Sequence, residues 1–261
     1  MILFDTSLYT PGTRHPKHDH DTLQVSIVLS GSLTETVGST TELARTLSVV
    51  AKDPGLAHAD DFAAGAIMAR LVFKNTTLDK VIDDSSRATP WIWSHHAHVA
   101  RPFLRIVQRN RHGTQKFDDN DPDVTDLLAA LTSRVVPTRG QPPRWLEEVM
   151  IELRHSWTPN TTVRDIAARA GVHPVYLARC VRRWYGTGVG EELRRLRLES
   201  AAATLASSRE RVSSIAHAKG FADESHLCRD FGRALGVTPR RYRSIVKDSF
   251  ENSSLGTSFD A

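Results

Sequence analysis

The sequence predicts an α+β chain, with a β-rich N-terminal half followed by an all-α half. Two observations carry this prediction. Apolar residues recur with a period of two before residue 95 and with a helical period after about residue 98. With 261 residues, we expect two domains. The composition, 40% hydrophobic and 25% charged, excludes collagen, wholesale disorder and a membrane bundle.

The N-terminal half contains several short strand patterns. The strongest one alternates four apolar residues with more polar neighbours: Leu23, Val25, Ile27 and Leu29. Ser30-Gly31-Ser32 predicts a turn, and Leu33–Val37 the returning strand. Further strands are predicted at Thr46–Ala51 and Ala66–Phe73, with a turn at Asp53-Pro54-Gly55. Short strands at about ten-residue spacing are typical of a barrel or sandwich.

The C-terminal half has helical periodicity. Phe103, Leu104, Ile106 and Val107 fit a first helix. Asp123–Val136 predicts a second, with one apolar face: Val124, Leu127, Leu128 and Leu131. Pro137–Pro143 has the composition of a linker. Seven more helices are predicted after it, at residues 144–156, 163–170, 174–185, 190–206, 212–219, 224–235 and 239–246. The final residues have no periodic pattern and predict a disordered tail.

An internal repeat lies within these helices. VRDIAARAGV from Val163 matches VSSIAHAKGF from Val212, an offset of 49 residues. In each copy a glycine supplies a left-handed turn and a capping residue begins a second helix; these are Gly171 and His173, then Gly220 and Asp223. The repeat therefore predicts two helix-turn-helix units. We call the second helix of each unit its reading helix.

The reading helices have one apolar face and one basic face. Spacing at i, i+4 predicts an inward face with Leu177 and Val181 in the first helix, and Leu227 and Phe231 in the second. Arg179 and Arg229 then point away from the core. Residues 145–247 hold 18 basic and 11 acidic side chains, a net charge of +7. Since an exposed arginine binds guanine in the major groove, the pattern indicates double-stranded DNA as a partner. The alternative is a helical bundle whose arginines face water.

The C-terminal hundred residues resemble the DNA-binding domain of the AraC/XylS family of transcription regulators. The motif that carries the resemblance is VSSIAHAKGFADESHLCRDFGRALGVTPRRYR, at Val212–Arg243. The resemblance implies seven helices and recognition of adjacent major-groove segments. It places DNA contacts at Val175, Ala178, Arg179, Arg182, Glu224, Ser225 and Arg229. His173 departs from the usual serine or threonine cap.

The N-terminal strands resemble, more loosely, the cupin-type effector barrel of such regulators. The first cupin motif, G-x5-H-x-H-x3-E-x6-G, matches from Gly12 to Gly31 except that Gln24 replaces the glutamate. The resemblance implies a metal site made of His18, His20, Gln24 and His58. Imidazole ligands suit a divalent transition metal such as zinc. The alternatives are a polar loop without metal and a pocket for an organic ligand.

We therefore expect a cupin-like effector barrel at residues 1–95, and a helical dimerisation element with a linker at 96–143. A DNA-binding domain follows at 144–247, and a disordered tail at 248–261. The predicted function is transcription regulation by a homodimer that binds promoter half-sites under control of a small molecule or metal, and contacts RNA polymerase if it is an activator.

Two other hypotheses stay open. One is a metal-dependent cupin enzyme with a DNA-binding appendage, although Gln24 and the lack of an evident nucleophile favour a protein that is not an enzyme. The other is a nonspecific architectural DNA binder. The N-terminus lacks the pattern of a signal peptide, no apolar run is long enough for a membrane span, and there are only two cysteines. The expected location is the cytoplasm.

Overall fold

The computed structural model describes residues 2–74, 90–110, 117–118, 120–132 and 141–255. Eight strands come first: β1 (Ile2–Tyr9), β2 (Thr13–His18), β3 (Leu23–Val37), β4 (Thr40–Arg45), β5 (Val49–Lys52), β6 (His58–Phe62), β7 (Ala66–Phe73) and β8 (Trp91–Ser94). The described helices follow: α1 (Ala97–Arg109), α2 (Pro122–Thr132), α3 (Arg144–Ser156), α4 (Val163–Arg169), α5 (Pro174–Tyr185), α6 (Val189–Ser207), α7 (Val212–Ala218), α8 (Glu224–Leu235) and α9 (Pro239–Glu251). A short strand, β9 (Ser254–Leu255), comes last. The predicted class, a cupin-like barrel followed by an all-α part, is confirmed.

Strand β3 organises the barrel. Its first half pairs with β7 and β5, and its second half pairs with β4 and β6. The turn predicted at Ser30-Gly31-Ser32 is wrong, because the strand bends there and continues to Val37. A bulge lies between Val28 and Ser30, and Gly31 has φ +81°. Together they redirect the strand from one side of the barrel to the other, as bulges do at barrel corners.

A second correction concerns Thr46–Ala51. Residues 46 and 47 form the turn between β4 and β5, and the strand begins only at Val49. Leu47 has φ +74°, and its N–H donates to the carbonyl of Val28 at 2.7 Å. Apolar character alone did not separate this buried turn from a strand. The strand at Ala66–Phe73 is confirmed residue for residue.

Both faces of the first half of β3 are buried. The four apolar residues of the alternating pattern, Leu23, Val25, Ile27 and Leu29, are fully buried. They belong to a cluster that includes side chains of α1, α2 and of α6 to α9. On the opposite face, Gln24 and Ser26 are also buried and line a polar pocket. The strand therefore separates a helical apolar core from the barrel interior.

Helix α9 attaches the C-terminal half to this strand. Tyr242 is fully buried, and its hydroxyl donates to the carbonyl of Leu29 at 2.6 Å. Burial raises the pKa of Tyr242, so the phenol stays protonated and remains a donor. One apolar cluster thus runs from the barrel into the second helix-turn-helix unit.

Helix α2 was predicted to provide a dimerisation surface. Three residues of its apolar face, Val124, Leu127 and Leu131, are instead buried within this chain. Leu128 is only half-buried and packs at the edge of the same cluster. Most of the apolar residues of α2 are therefore explained by packing against the barrel and α1 within one chain. Residues 133–136, the predicted end of this helix, lie outside the described residues, as do 137–140 of the predicted linker.

The predicted tail is partly structured. Helix α9 continues past its predicted end at 246 to Glu251, and β9 pairs in parallel with β1. Val246 and Ser249 are buried, which explains why the helix extends. Residues 256–261 lie outside the described residues. Among the described helices, none is long and apolar enough to cross a bilayer.

The corner of β3 can be tested with two glycine substitutions. A Cβ on Gly31 would lie 2.0 Å from the carbonyl oxygen of Gly65, whereas Gly38 also has positive φ but open space around it. Gly38→Ala should cost about 1–2 kcal/mol for the left-handed backbone alone. Gly31→Ala should cost about 1–3 kcal/mol more, because backbone must move. Urea unfolding of both variants measures the difference; equal losses would contradict this account of the corner.

Candidate nucleic-acid interface and barrel pocket

The first helix-turn-helix unit consists of α4 and α5. Thr162 begins α4 with a capping box, in which its hydroxyl accepts from the N–H of Asp165 and the Asp165 carboxylate accepts from the N–H of Thr162. Gly171 makes the turn at φ +65°. His173 then caps α5, where its Nδ1 accepts from the N–H of Val175 at 3.2 Å. The predicted histidine cap is confirmed.

The second unit consists of α7 and α8. Gly220 makes its turn at φ +79°, and a Cβ there would lie 2.4 Å from the carbonyl oxygen of Pro159. Glycine is thus required both for the backbone conformation and for close packing. Asp223 caps α8 by accepting from the N–H of His226 at 2.7 Å. Both predicted units are therefore present, with the predicted turn and cap residues.

The reading helices α5 and α8 divide into buried and exposed faces as predicted. The four inward residues, Leu177, Val181, Leu227 and Phe231, are fully buried. The exposed residues include six of the seven predicted DNA contacts: Val175, Ala178, Arg179, Arg182, Ser225 and Arg229. Glu224 is half-exposed, because its carboxylate accepts from Nη2 of Arg240 at 3.2 Å. The contacts themselves stay predictions.

Tyr176 is an exposed residue of α5 that sequence analysis missed. Its side chain is 53% exposed beside Val175, and its ring stacks on Trp145 of α3 with centroids 6.0 Å apart. The helical period alone places position 176 outside the buried face. Aromatic side chains are usually buried, so residue type alone would assign Tyr176 to the core.

Helix α6 connects the two units. Its 19 residues span about 28 Å. Arg194 pairs with Asp230 of α8, Nε to Oδ2 at 3.2 Å, and Nη2 of Arg197 donates to the carbonyls of Pro159 and Thr161 at 3.1 Å each. These bonds tie α6 to the second reading helix and to the segment that precedes α4.

The predicted histidines converge inside the barrel. His18 at the end of β2 lies opposite His58 at the start of β6. The ligating atoms of His18, His20 and His58 lie within 4.8 Å of one another. His20 lies past the end of β2 and approaches from the following turn, so His18 and His20 do not share one strand. Gln24 lines the same pocket, where its Oε1 accepts from Nη1 of Arg70 at 3.4 Å.

A buried lysine also belongs to this pocket. Nζ of Lys52 donates to Oε1 of Glu35 at 2.7 Å and to Nε2 of His58 at 2.9 Å. Nδ1 of His58 carries the proton, because it donates to the carbonyl of Leu56 at 2.9 Å. Trp91 donates its indole N–H to the other oxygen of Glu35. Sequence analysis missed Glu35, although the alternation of Leu33, Glu35 and Val37 places it on the inward face.

Asp60 supplies a carboxylate to the site. It is 8% exposed, and its Oδ1 is buried with no hydrogen-bond partner among the described residues. Asp60 forms ligand-spaced groups both with His15 and His18 and with Glu35 and His58. A buried carboxylate oxygen without a donor favours a cation or a bound hydroxyl at that point. Asp60 therefore adds a carboxylate to the pocket that Gln24 also lines.

Burial keeps two imidazoles of the site neutral, those of His20 and His58. It lowers the pKa of His20 to about 3 and that of His58 to about 4, and the nearby positive charge of Lys52 lowers both further. Neutral rings keep a lone pair available at pH 7. The cavity has a volume of about 30 Å³, room for a water molecule or an ion.

The comparisons with known proteins concern mainly the helical half. Residues 166–245 match a family model described as a helix-turn-helix domain. The chain is 25% identical over 162 residues to the uncharacterized HTH-type transcriptional regulator YisR of Bacillus subtilis, covering 57% of this chain and 56% of that protein. It is 40% identical over 120 residues to a Streptomyces lividans protein named as AraC-like, covering 46% of this chain and 36% of that protein.

Among solved structures, ToxT of Vibrio cholerae is similar at 11% identity and a TM-score of 0.37, covering 93% of this chain and 98% of that one. Of the two sequence relatives named above, by contrast, the chain spans about half of the length of the first and about a third of the second. The family match covers the two units whose caps, turns and reading helices are described above. The C-terminal half of the chain therefore contains a helix-turn-helix domain, similar to a protein named as AraC-like.

Proposed function

We propose that this protein is a sequence-specific, DNA-binding transcription regulator whose barrel binds a controlling ion or small molecule. The observation that carries the proposal is the division of both reading helices, each with a fully buried apolar face and an exposed face that bears an arginine, Arg179 or Arg229. Two such helices joined by a helix of about 28 Å suit two neighbouring segments of major groove. The partner is double-stranded DNA at promoter half-sites.

We propose that β3 couples effector binding in the barrel to the position of α9. Gln24 of this strand lines the barrel pocket, and five residues later the carbonyl of Leu29 accepts from Tyr242 of the DNA-binding half. At about 3.3 Å per residue the two points lie about 16 Å apart. An effector that favours one arrangement of β3 would then favour one arrangement of α9. Cytoplasmic location and contact with RNA polymerase stay predictions.

A dication such as zinc fits the pocket. The residues that would hold it are His18, His20 and His58, whose ligating atoms lie within 4.8 Å of one another, once Lys52 releases Nε2 of His58. Asp60, which is at ligand spacing from His18 and from His58, would be the fourth. Imidazole nitrogens together with a carboxylate oxygen suit zinc. Nζ of Lys52 contacts Nε2 of His58, the atom that would bind the metal. Lys52 and a metal ion would therefore compete for His58, and the pocket would hold either the ammonium group or the ion there. Gln24, held by Arg70, would stand at the edge.

The DNA proposal is tested by arginine substitutions in the full chain. Arg229→Ala should weaken specific binding by about 1–3 kcal/mol and relax preference at one or two base pairs, because a bidentate guanine contact is lost. Arg179→Ala should do the same in the adjacent segment. The measurement is selection of bound fragments from genomic DNA, followed by affinities for the selected site and a scrambled duplex.

Arg144→Ala is the matched control, since Arg144 is 92% exposed on α3 and pairs with Glu148 in its own helix. It should retain the sequence preference of the wild type. If Arg229→Ala and Arg179→Ala also retain it, the reading helices are wrongly assigned. A wild type that binds scrambled and selected duplexes equally would favour an architectural DNA binder.

The metal proposal is tested by metal analysis of the purified protein. We expect about one zinc per chain in the wild type and loss of that zinc in His20→Ala and Asp60→Asn, since each removes a ligand. His155→Ala is the control, because His155 is exposed on α3 and its ring bonds to the carbonyl of Ile151. Substoichiometric metal that does not change with His20→Ala would leave an organic-ligand pocket as the better account.

The homodimer is tested at Leu128, the half-buried apolar residue of α2. Leu128→Glu should shift the sedimentation of the protein from dimer to monomer, because a charge would enter an apolar contact. Thr125→Glu, an exposed position on the same helix, is the control and should leave the dimer intact. An unchanged dimer in Leu128→Glu would exclude α2 as the dimerisation element.

A further inference from the structure

Helix α1 carries three arginines at helical spacing, and they have different surroundings. Arg105 and Arg109 are neutralised by the carboxylates around the start of α2: Asp121, Asp123 and Asp126. Arg101, one turn earlier, is exposed. No carboxylate of a described residue lies within 4.0 Å of its guanidinium. Its positive charge is thus uncompensated at short range within the part of the chain that the structure describes.

Arg101 belongs to the barrel half of the chain but lies against the second reading helix. Its side chain crosses Gly236, the residue that ends α8, and a Cβ on Gly236 would be 3.1 Å from the Nε of Arg101. The cleft beside it also contains His98 and Arg233, which is 77% exposed and whose Nη1 lies 4.0 Å from Oδ1 of Asp230. The cleft includes the carboxylate of Asp126, which accepts from Arg105. The surface around the end of α8 is therefore basic.

Arg101 contacts α8 at Gly236, which lies on the same side of the helix as its exposed residues. Ser225, Arg229 and Gly236 are spaced by four and seven residues and share one side of the helix. From Arg229 to Gly236 the helix rises by about 10 Å. The major groove is about 12 Å wide. When Arg229 reaches base edges, a group at Gly236 therefore comes near the sugar–phosphate wall of the same groove.

We propose that Arg101 binds a phosphate of the DNA backbone beside the segment that α8 contacts, together with Arg233. The inference rests on the proposed DNA-binding function and extends the DNA-binding surface onto the first helix after the barrel. Phosphate is the partner that suits an exposed, uncompensated guanidinium at the edge of a reading helix. A movement of α1 relative to α8 would then change DNA affinity without changing the base contacts.

The test is the salt dependence of DNA binding by the full chain, measured by fluorescence anisotropy. For Arg101→Gln, the slope of log Kobs against log salt should fall in magnitude by about 0.9, the value for one lost phosphate contact. The affinity advantage of the wild type should therefore shrink by about threefold to fourfold between 50 and 200 mM salt. The change should be equal on a selected site and on a scrambled duplex, because phosphates carry no sequence information.

Two further variants sharpen the test. Arg101→Lys should keep the wild-type slope, since an ammonium also binds phosphate. Arg14→Gln removes another exposed positive charge, which pairs with Asp61 on the barrel, and should also keep the slope.

An unchanged slope in Arg101→Gln, with a lower melting temperature, would overturn the proposal and leave Arg101 as a partner of the C-terminal carbonyls of α8. A slope reduced equally by Arg14→Gln would also overturn it, as an effect of net charge alone. A wild type that binds no DNA would instead refute the proposed function, so the two failures are distinguishable.

Discussion

The burial of both faces of β3 is the constraint on which the rest of the molecule depends. Its apolar face, led by Val25 and Ile27, needs a helical cover, and α1, α2 and the second helix-turn-helix unit provide it. Its polar face needs hydrogen-bond partners, and the barrel pocket provides them. The bend at Gly31 then allows one strand to belong to both sides of the barrel. Without this strand the chain would have neither its barrel nor the attachment of its DNA-binding half.

From α3 onward the helix ends were predictable to within a residue or two, except that α9 runs five residues past its predicted end. Several strand ends in the barrel were not predictable. Caps and turn glycines mark helix ends directly, so α5 and α8 begin and end where the sequence indicates. Strand ends depend on pairing partners far along the chain. Gly31 looks like a turn residue until the register shows that it is a corner within one strand, and Leu47 looks like a strand residue although it lies in a turn.

The sequence also predicted the helical candidate site more completely than the barrel pocket. Helical spacing alone separated Leu177 and Leu227 from the exposed arginines of the reading helices. Motif spacing brought His18, His20 and His58 together, but it did not include Lys52, Glu35 or Asp60. Lys52 and Glu35 are buried as a pair across the barrel, and Asp60 is buried beside His58. A pairing of that kind depends on register, which no local pattern records.

The two helix-turn-helix units look alike in sequence but belong to different apolar cores. The first unit packs with α3 in a core of its own, while the second shares the core of the barrel. Helix α6 spans both, with Leu193 and Leu196 in the first core and Leu198 and Leu205 in the second. Segments that share a core tend to open together. The first unit can therefore open as a cooperative block separate from the barrel, whereas the second unit should open together with the barrel whose core it shares.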